Sequence, residues 1–286
     1  MEGRIWSRMV ALLPAPAERR GRFTFDARTI LMVVLWAILH DRPMNWAARS
    51  ENWPRDQRPP RLPSPSTLSR RWRTAEIQTA AENFFRRSVA EVGLVSPYAV
   101  MDAKPLPVGG GSEDSDARPG RAVGHLAKGH KLFALVTASW AIAEFDVGAM
   151  ADAETTRARG LLARAPQRLT RILGDGVYDS VPLHRVAATH GRRLYTPLRQ
   201  NRVGRRQQPE RVHLLRVLRT TVGQRLIASR DEVERAFGLL GNFHCGFKGL
   251  PNWARRTHRV HRWMWGKIVT YHLYLAEKPH TRRAAP

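Results

Sequence analysis

Three acidic side chains in this sequence lie where carboxylates can bind metal ions. Asp102 closes one short apolar run, Asp175 follows another, and Glu234 lies on an amphipathic segment. Carboxylate oxygens are hard ligands that suit Mg²⁺ or Mn²⁺, whereas His and Cys ligands would favour zinc. On a strongly basic chain, three such carboxylates predict a divalent-metal site for phosphodiester chemistry.

The surroundings of Asp102 predict a strand that ends at the carboxylate. Residues 98–101 are apolar and bounded by Pro97 and Pro105, as expected for a short buried strand. Ligands of open α/β sheets bind at the carboxyl ends of strands, which favours a functional role for Asp102. The alternative is an aspartate that only begins a loop.

Two further aspartates follow the predicted short strand 171–173. Asp175 precedes Gly176, and because Asp-Gly pairs are common in turns, an ordinary turn is the alternative to a metal ligand here. Asp179 precedes a segment with an early proline, Pro182, which is the usual opening of a helix. We therefore expect Asp179 to cap that helix instead of binding metal.

The segment that carries Glu234 has the apolar stripe of a helix. Arg230 precedes Glu234 by about one helical turn and shares its face, which favours Glu234 over Glu232 as the functional acid. The alternative is a solvated side chain, as most exposed helical glutamates are. The stripe consists of Val233, Ala236, Phe237 and Leu240.

Residues 96–280 show the strands and helices of an α/β domain. Two β-rich runs, 131–138 and 141–147, are separated by a hairpin-length gap. Together with 98–101 they predict three antiparallel strands at the start of a sheet.

The rest of this region predicts further elements of the same domain. We expect a surface helix over 152–165 and short strands at 171–173 and 194–198. The segment 109–116 is polar and glycine-rich without a Gly-Lys-Ser/Thr sequel. It therefore predicts an exposed loop and no phosphate-binding P-loop.

Residues 1–95 predict an all-α DNA-binding domain. The short capped segment 65–73 fits the second helix of a helix-turn-helix, which would contact phosphate through Arg70, Arg71 and Arg73. The alternative is a basic surface helix docked on the rest of the protein. The predicted helices, the first capped by Asp26, cover 27–40, 44–51, 66–73 and 75–92.

Residues 253–275 alternate aromatic and basic side chains. We interpret the aromatic residues as core, with base stacking as the alternative, and the arginines as phosphate contacts. His258 and His261 fit a basic helix face better than a metal site. The aromatic and basic residues are Trp253, Trp263, Trp265, Tyr271, Arg255, Arg256, Arg259, Arg262 and Lys267.

Cysteine content and hydropathy bear on the compartment. The only cysteine, Cys245, excludes an internal disulfide framework and a cysteine-rich zinc cluster, as expected in a reducing cytoplasm. The longest apolar run, 30–39, is too short to span a bilayer. We therefore expect a cytoplasmic protein with no membrane partner.

The charge balance predicts a polyanionic partner. Lys and Arg number 48 against 24 Asp and Glu, so the formal charge is +24, more than solubility requires. Charge alone would also fit a ribosomal or membrane-surface protein. A hydrophobic fraction of 43% excludes a disordered basic tail, and 286 residues suffice for one large and one small domain.

Five segments together resemble the catalytic domain of bacterial insertion-sequence transposases of the DDE type, over about residues 97–278. The resemblance implies an α/β, ribonuclease-H-like mixed sheet flanked by helices. It makes Asp102, Asp175 and Glu234 the catalytic and metal-binding carboxylates, with Asp102 bridging two Mg²⁺ ions that Mn²⁺ can replace. The segments are 100–107, 127–132, 174–180, 233–237 and 250–253.

The chain departs from this family at two positions of a Tyr, Arg, Glu, Lys signature. Arg230 and Glu234 match, but Ile227 stands at the Tyr position and Gly241 at the Lys position. In the family, that lysine is implicated in binding a DNA phosphate. Either Lys248 replaces it from the following loop, or this copy is impaired.

The expected function is that of a DDE transposase, which binds the terminal inverted repeats of its element, nicks, and joins the freed 3′-hydroxyl to target DNA. The resemblance implies double-stranded DNA as partner, a homodimer that pairs two ends, and a place on the bacterial nucleoid. A catalytically impaired repressor of transposition is the alternative, and a host nuclease is a third. Expected DNA contacts are Arg230, Lys248, Arg70, Arg71, Arg73, Lys128 and Lys131. Predicted domains are 1–95 and 96–280, with a basic tail over 281–286.

Overall fold

The structure is a computed structural model that describes residues 2–16, 24–197, 209–243, 246 and 249–278, without the side chains of 209–211. Lys248 and the basic tail 281–286 lie outside the described residues. What the sequence predicts for them stays a prediction.

A mixed sheet lies at the centre of the fold. Its strands are β1 (Tyr98–Pro107), β2 (Arg118–Arg121), β3 (Leu126–Thr137), β4 (Ile142–Ala149), β5 (Arg171–Gly174) and β6 (Arg193–Tyr195). The spatial order is β2-β3-β1-β5-β6, and β4 also pairs with β3. β1 runs antiparallel to β3 but parallel to β5, and β5 runs parallel to β6. The predicted mixed sheet is therefore confirmed.

Helices flank this sheet and form the whole N-terminal region that the structure describes. Asp26 caps the second helix by accepting a hydrogen bond of 2.8 Å from the Thr29 amide, as predicted. The helices are α1 (Glu2–Leu12), α2 (Ala27–Leu39), α3 (Met44–Ala47), α4 (Pro65–Trp72), α5 (Ala75–Val92), α6 (Glu154–Arg164), α7 (Val181–Thr189), α8 (Pro209–Leu218), α9 (Thr221–Ala228), α10 (Glu232–Asn242) and α11 (Thr257–Glu277).

The predicted antiparallel start of the sheet is confirmed, but β1 is longer than expected. It continues past Asp102 to Pro107 because β3 pairs with it as far as Gly129. Asp102 therefore lies within a strand and not at its end. The unpredicted β2, whose Arg-Pro-Gly-Arg sequence lacks strand-forming residues, pairs with residues 126–129 at the outer edge of β3.

Alternation along the strands divides the core between the two faces of the sheet. Val100 and Ala134 belong to one apolar cluster, which also contains the buried residues of α5, α10 and α11. Met101 and Phe133 belong to a second cluster, which α6 and α7 cover. Because successive side chains of a strand point to opposite faces, alternate residues of each strand pack against different helices.

Helix α11 joins the N-terminal helices to the sheet. Its aromatic residues Trp263, Trp265 and Tyr271 are buried, as the core interpretation predicted. Lys267 is also fully buried and donates a hydrogen bond of 2.9 Å to Asp41. α1, α2 and α5 share one apolar cluster with α11. A domain boundary at residue 95 stays a prediction.

The segment 109–116 is a loop that is mostly exposed, as its composition predicts, except at two aspartates. Asp114 is buried and accepts hydrogen bonds of 2.9 Å from His130 Nε2 and from the Arg256 amide. Asp116 accepts a bond of 2.9 Å from the Thr257 amide at the start of α11. The three glycines, Glu113 and Ser115 are exposed, whereas the two aspartates tie the loop to α11.

Asp179 does not cap α7, contrary to the prediction. Ser180 occupies the N-cap position, and Asp179 is buried with one carboxylate oxygen 3.5 Å from His184 Nε2. The carboxylate thus lies beside a histidine of α7 itself. Across the part of the chain that the structure describes, no helix is long and apolar enough to cross a membrane.

Candidate active site

Strand pairing brings Asp102 and Asp175 together. The parallel register of β1 and β5 ends with Met101 opposite Gly174, so the next residues along the two strands are these two aspartates. Neighbouring strands lie about 4.8 Å apart. Side chains alternate between the two faces along each strand, so the two aspartates, which each follow a paired residue by one position, point to the same face of the sheet. Two residues far apart in sequence therefore meet at the point where the parallel pairing stops.

The ordinary-turn alternative for Asp175 is compatible with a functional role. One of its carboxylate oxygens accepts a hydrogen bond of 2.8 Å from the Val177 amide and so caps the 3-10 turn Gly176–Tyr178. Capping uses Oδ1. A carboxylate has a second oxygen that can serve as a metal ligand.

The electrostatic surroundings of Asp102 favour a bound cation. The pKa of Asp102 is raised to about 6, mainly by burial and also by the negative charges of Glu154 and Asp175, which together outweigh the lowering by a bond from the Ala103 amide and by the charge of Arg230. Desolvation and like charge both disfavour the ionised carboxylate. A divalent cation would offset both effects.

Helix α10 covers the sheet face on which Asp102 lies. Asp102 pairs with Ala134 and shares the face of the cluster that contains Val233, Ala236, Phe237 and Leu240. These four residues are the buried ones of α10, which confirms the predicted apolar stripe. Glu234 lies on the exposed side of the same helix.

The two glutamates of α10 have different environments. Glu232 accepts a hydrogen bond from Trp140 Nε1 and pairs with Arg235 at 3.2 Å, so it anchors the start of the helix. Glu234 forms no hydrogen bond or ion pair with any residue in the described ranges. Its carboxylate is therefore available to a ligand, as the choice of Glu234 over Glu232 requires.

A fourth carboxylate, Glu154, belongs to this neighbourhood and had no signal in the sequence. It lies in the first turn of α6 and pairs with Lys131 Nζ at 3.0 Å. Burial raises the pKa of Tyr178 well above its usual range, as do the charges of Glu154, Asp102 and Asp175 and a hydrogen bond with Glu154. Glu154 escaped prediction because a helix-start glutamate is common.

The donor atoms fit a divalent metal at the aspartate pair. Carboxylate oxygens at Asp102 and Asp175 are hard ligands, and the raised pKa of Asp102 reflects a negative charge that a cation would stabilise. Within the described ranges, no three His, Cys, Asp or Glu side chains are grouped closely enough to hold an ion. The two aspartates thus lie together, whereas Glu234 on α10 is not grouped with them in this structure.

The transposase DDE domain family matches residues 96–273. The chain belongs to this family. Comparison with curated proteins and with solved structures gave no match. The match covers the whole sheet, α6 to α10 and most of α11, so the transposase DDE domain includes Asp102, Glu154, Asp175 and Glu234. DDE transposases act on DNA and generally use divalent metal ions.

Burial separates the predicted DNA contacts of helix α4 in this transposase. Arg70 and Arg73 are exposed, whereas Arg71 is buried and donates to Glu76 at 3.0 Å and to the Phe25 carbonyl at 3.2 Å. A guanidinium held in this way cannot reach a phosphate. The predicted contact by Arg71 is therefore wrong for this conformation.

The two predicted lysine contacts of β3 are also engaged inside the transposase. Lys128 donates to the Ser112 carbonyl at 2.6 Å and so supports the loop 109–116. Lys131 is buried against Glu154 and positions that carboxylate. Ile227 packs against the main apolar cluster, which accounts for an apolar residue at that position of α9.

Proposed function

We propose that this transposase cleaves DNA at the ends of its own element and joins the freed 3′-hydroxyl to target DNA, with Asp102, Asp175 and Glu234 as catalytic residues. The observation that supports the proposal is the register of β1 and β5, in which Asp102 and Asp175 directly follow the last paired residues of the two strands. Glu234, which has no partner among the described residues, supplies the third carboxylate.

The proposed cofactor is Mg²⁺, as two ions that Mn²⁺ can replace. Asp102, Asp175 and Glu234 would together hold these ions, with Asp175 and Glu234 each contributing to one of them. When bound, such ions activate the attacking oxygen and stabilise the leaving oxygen at phosphorus. Arg230, whose charge favours the ionised form of Asp102, would orient Glu234 or contact phosphate.

A basic surface near α4 supports double-stranded DNA as the partner. Arg73 and Arg259 are exposed, and burial together with the charges of these two residues lowers the pKa of Arg262 to about 10. Such a group of cations favours a polyanion, and we expect affinity for the terminal inverted repeats to fall steeply with salt. The proposal includes a homodimer that pairs two ends on the bacterial nucleoid in the cytoplasm.

The test is cleavage and strand transfer on a supercoiled plasmid that carries the DNA flanking the gene. We expect Asp102→Asn, Asp175→Asn and Glu234→Gln each to reduce cleavage by more than about 100-fold, since even outer-shell partners of metal ligands cost about 10–100-fold. Glu113→Gln, an exposed acid outside the site, is the matched control.

Two further readouts separate the alternatives. Mg²⁺ or Mn²⁺ should raise the melting temperature of the wild type but not of Asp102→Asn, because a ligand that binds only the folded state stabilises it. If the wild type binds the flanking DNA without cutting it, the repressor gains support, since Gly241 lacks the side chain of the family signature. Cutting without preference for the element ends would instead favour a nuclease.

A further inference from the structure

A cleft of about 400 Å³ opens between β1 and α10, next to the candidate active site. Pro105, Leu106 and Phe237 contribute apolar walls, and Gly238 and Gly241 line the side formed by α10. The volume lies within the range of about 300–1,000 Å³ that is usual for ligand pockets. The catalytic residues proposed above account for none of these lining groups.

Lys104 brings a positive charge into this cleft. It lies two residues after Asp102 on the same strand, so its side chain shares the face that α10 covers. Its ammonium lies 5.8 Å from the centroid of the Phe237 ring. Within the described ranges, no carboxylate or carbonyl pairs with it.

The helix side of the cleft is open because two of its residues lack side chains. Glu234, Gly238 and Gly241 lie at the helical spacing that places residues on one face of α10. A Cβ added at Gly238 would meet no atom within 4 Å. A ligand chain can therefore run from the catalytic carboxylates along α10 to Lys104.

We propose that the cleft holds the DNA strand beside the cleaved phosphodiester and that Lys104 binds one of its phosphates. The inference rests on the proposed function and names the substrate contact of that same site. A half-buried ammonium that forms no hydrogen bond or ion pair with the described residues favours an anion, and the position next to Asp102 makes the DNA backbone the anion that reaches it. Lys104 thereby supplies the cation that Gly241 cannot.

The first test compares Lys104→Met with Lys278→Met. Lys278 is a matched control because its ammonium also lies over an aromatic ring, 4.6 Å from the centroid of Tyr274, but directly after the end of α11 and outside the residues that line the cleft. We expect Lys104→Met to raise KM for plasmid cleavage about 10-fold or more. For binding to the flanking duplex, the plot of log binding constant against log salt concentration should become less steep by about 0.9, the contribution of one phosphate contact. An unchanged KM and slope would overturn the proposal.

The second test fills the cleft without removing a charge. Gly238→Leu places a side chain in the opening, and Gly3→Leu is the matched control at a helical glycine of α1 that also has free space. Leu forms helices better than Gly, so neither variant should lower the melting temperature. We expect Gly238→Leu alone to lose cleavage. Retained cleavage with a Leu at 238 would contradict the assignment.

A third readout distinguishes failure of the site from failure of the proposed function. The full chain carrying Asp102→Asn is treated with an amine-acetylating reagent, with and without flanking duplex, and each lysine is quantified by mass spectrometry. DNA should protect Lys104 and not Lys278, and inorganic phosphate at equal ionic strength should protect neither. If DNA protects Lys104 but the wild-type protein does not cleave DNA, the result supports the Lys104 contact and contradicts the proposed cleavage activity. Cleavage without protection, or no DNA binding at all, overturns the site.

Discussion

Burial decides which basic side chains of the N-terminal region can meet DNA. Arg70, Arg71 and Arg73 are equivalent in the sequence, but α4 turns Arg71 inward against Glu76 while the other two face solvent. Residue type alone therefore overstates the number of phosphate contacts on this helix.

Mutations of the three arginines should have different effects on stability and on DNA binding. Arg71→Met should lower the free energy of unfolding by about 2 kcal/mol, a figure reduced from that of a fully buried ion pair because Glu76 is half-exposed. Arg70→Ala with Arg73→Ala should leave unfolding unchanged and weaken DNA binding. Urea denaturation and DNA titration provide the two measurements. A stable Arg71→Met protein with weak DNA binding would restore Arg71 as a contact.

His272 is a neutral residue that the fold fixes in one tautomer. Its Nε2 accepts a hydrogen bond of 3.0 Å from the Ile142 amide, so Nδ1 carries the proton and donates to Ser88 Oγ at 2.9 Å. Burial lowers the pKa of His272 to about 3, whereas the bond from Ile142 raises it. The imidazole stays uncharged at neutral pH.

The lowered pKa of His272 predicts a pH-dependent stability. Because the unfolded state binds the proton near pH 6.5 and the folded state does so only near pH 3, stability falls as pH drops below 6.5. This residue contributes up to about 1.4 kcal/mol per pH unit. The free energy of unfolding of His272→Gln should therefore fall less between pH 7 and 5 than that of the wild type. Parallel curves would rule out this contribution.

At the scale of elements, α11 connects the N-terminal helices to the sheet by packing against both. It packs against α2 and α5 on one side and β4 on the other. Close approach depends on Gly266, where an added Cβ would lie 2.6 Å from Ile38 Cδ1 and 2.8 Å from its Cγ2. The glycine is thus required by packing between α11 and α2, although it is unfavourable inside a helix.

Two helical glycines should respond to alanine in opposite directions. Gly266→Ala should destabilise the protein by about 1–3 kcal/mol because the methyl group collides with Ile38. Gly3→Ala, which meets no neighbour, should stabilise it by up to about 1 kcal/mol through helix propensity. Thermal denaturation of both variants beside the wild type tests the pair. An increase in stability for Gly266→Ala would show that α2 can move away.

At the scale of the whole molecule, the N-terminal helices and the catalytic sheet share one apolar cluster. Buried residues of α1, α2 and α5 pack in the same cluster as those of α10, α11 and one face of the sheet. The helices predicted to bind DNA therefore also cover part of the core beneath the catalytic face.

The shared core predicts that residues 96–286 are unstable alone. Removing residues 1–95 would expose the face of α11 that packs on α2 and α5, where Trp265 Nε1 donates to the Ala81 carbonyl at 3.1 Å. We expect this fragment to lack the cooperative thermal transition of the full chain and to bind hydrophobic dyes. A cooperative transition near the wild-type temperature would instead establish residue 95 as the boundary of an independent domain.

The sequence by itself determined the local features of this transposase. Periodicity placed Val233, Ala236, Phe237 and Leu240 on one buried face of α10, and capping and turn residues located most helices and strands. These features depend on neighbours within a few residues along the chain, so local patterns predict them. The family signature likewise survives in short segments.

Only the tertiary structure decided what the candidate site contains. The register of β1 against β5 sets Asp102 beside Asp175, and the docking of α6 adds Glu154. The same docking of distant elements buries Arg71 and Asp114 and leaves Lys104 facing a cleft. Register and docking result from the packing of side chains that lie far apart in the chain, which no local pattern encodes.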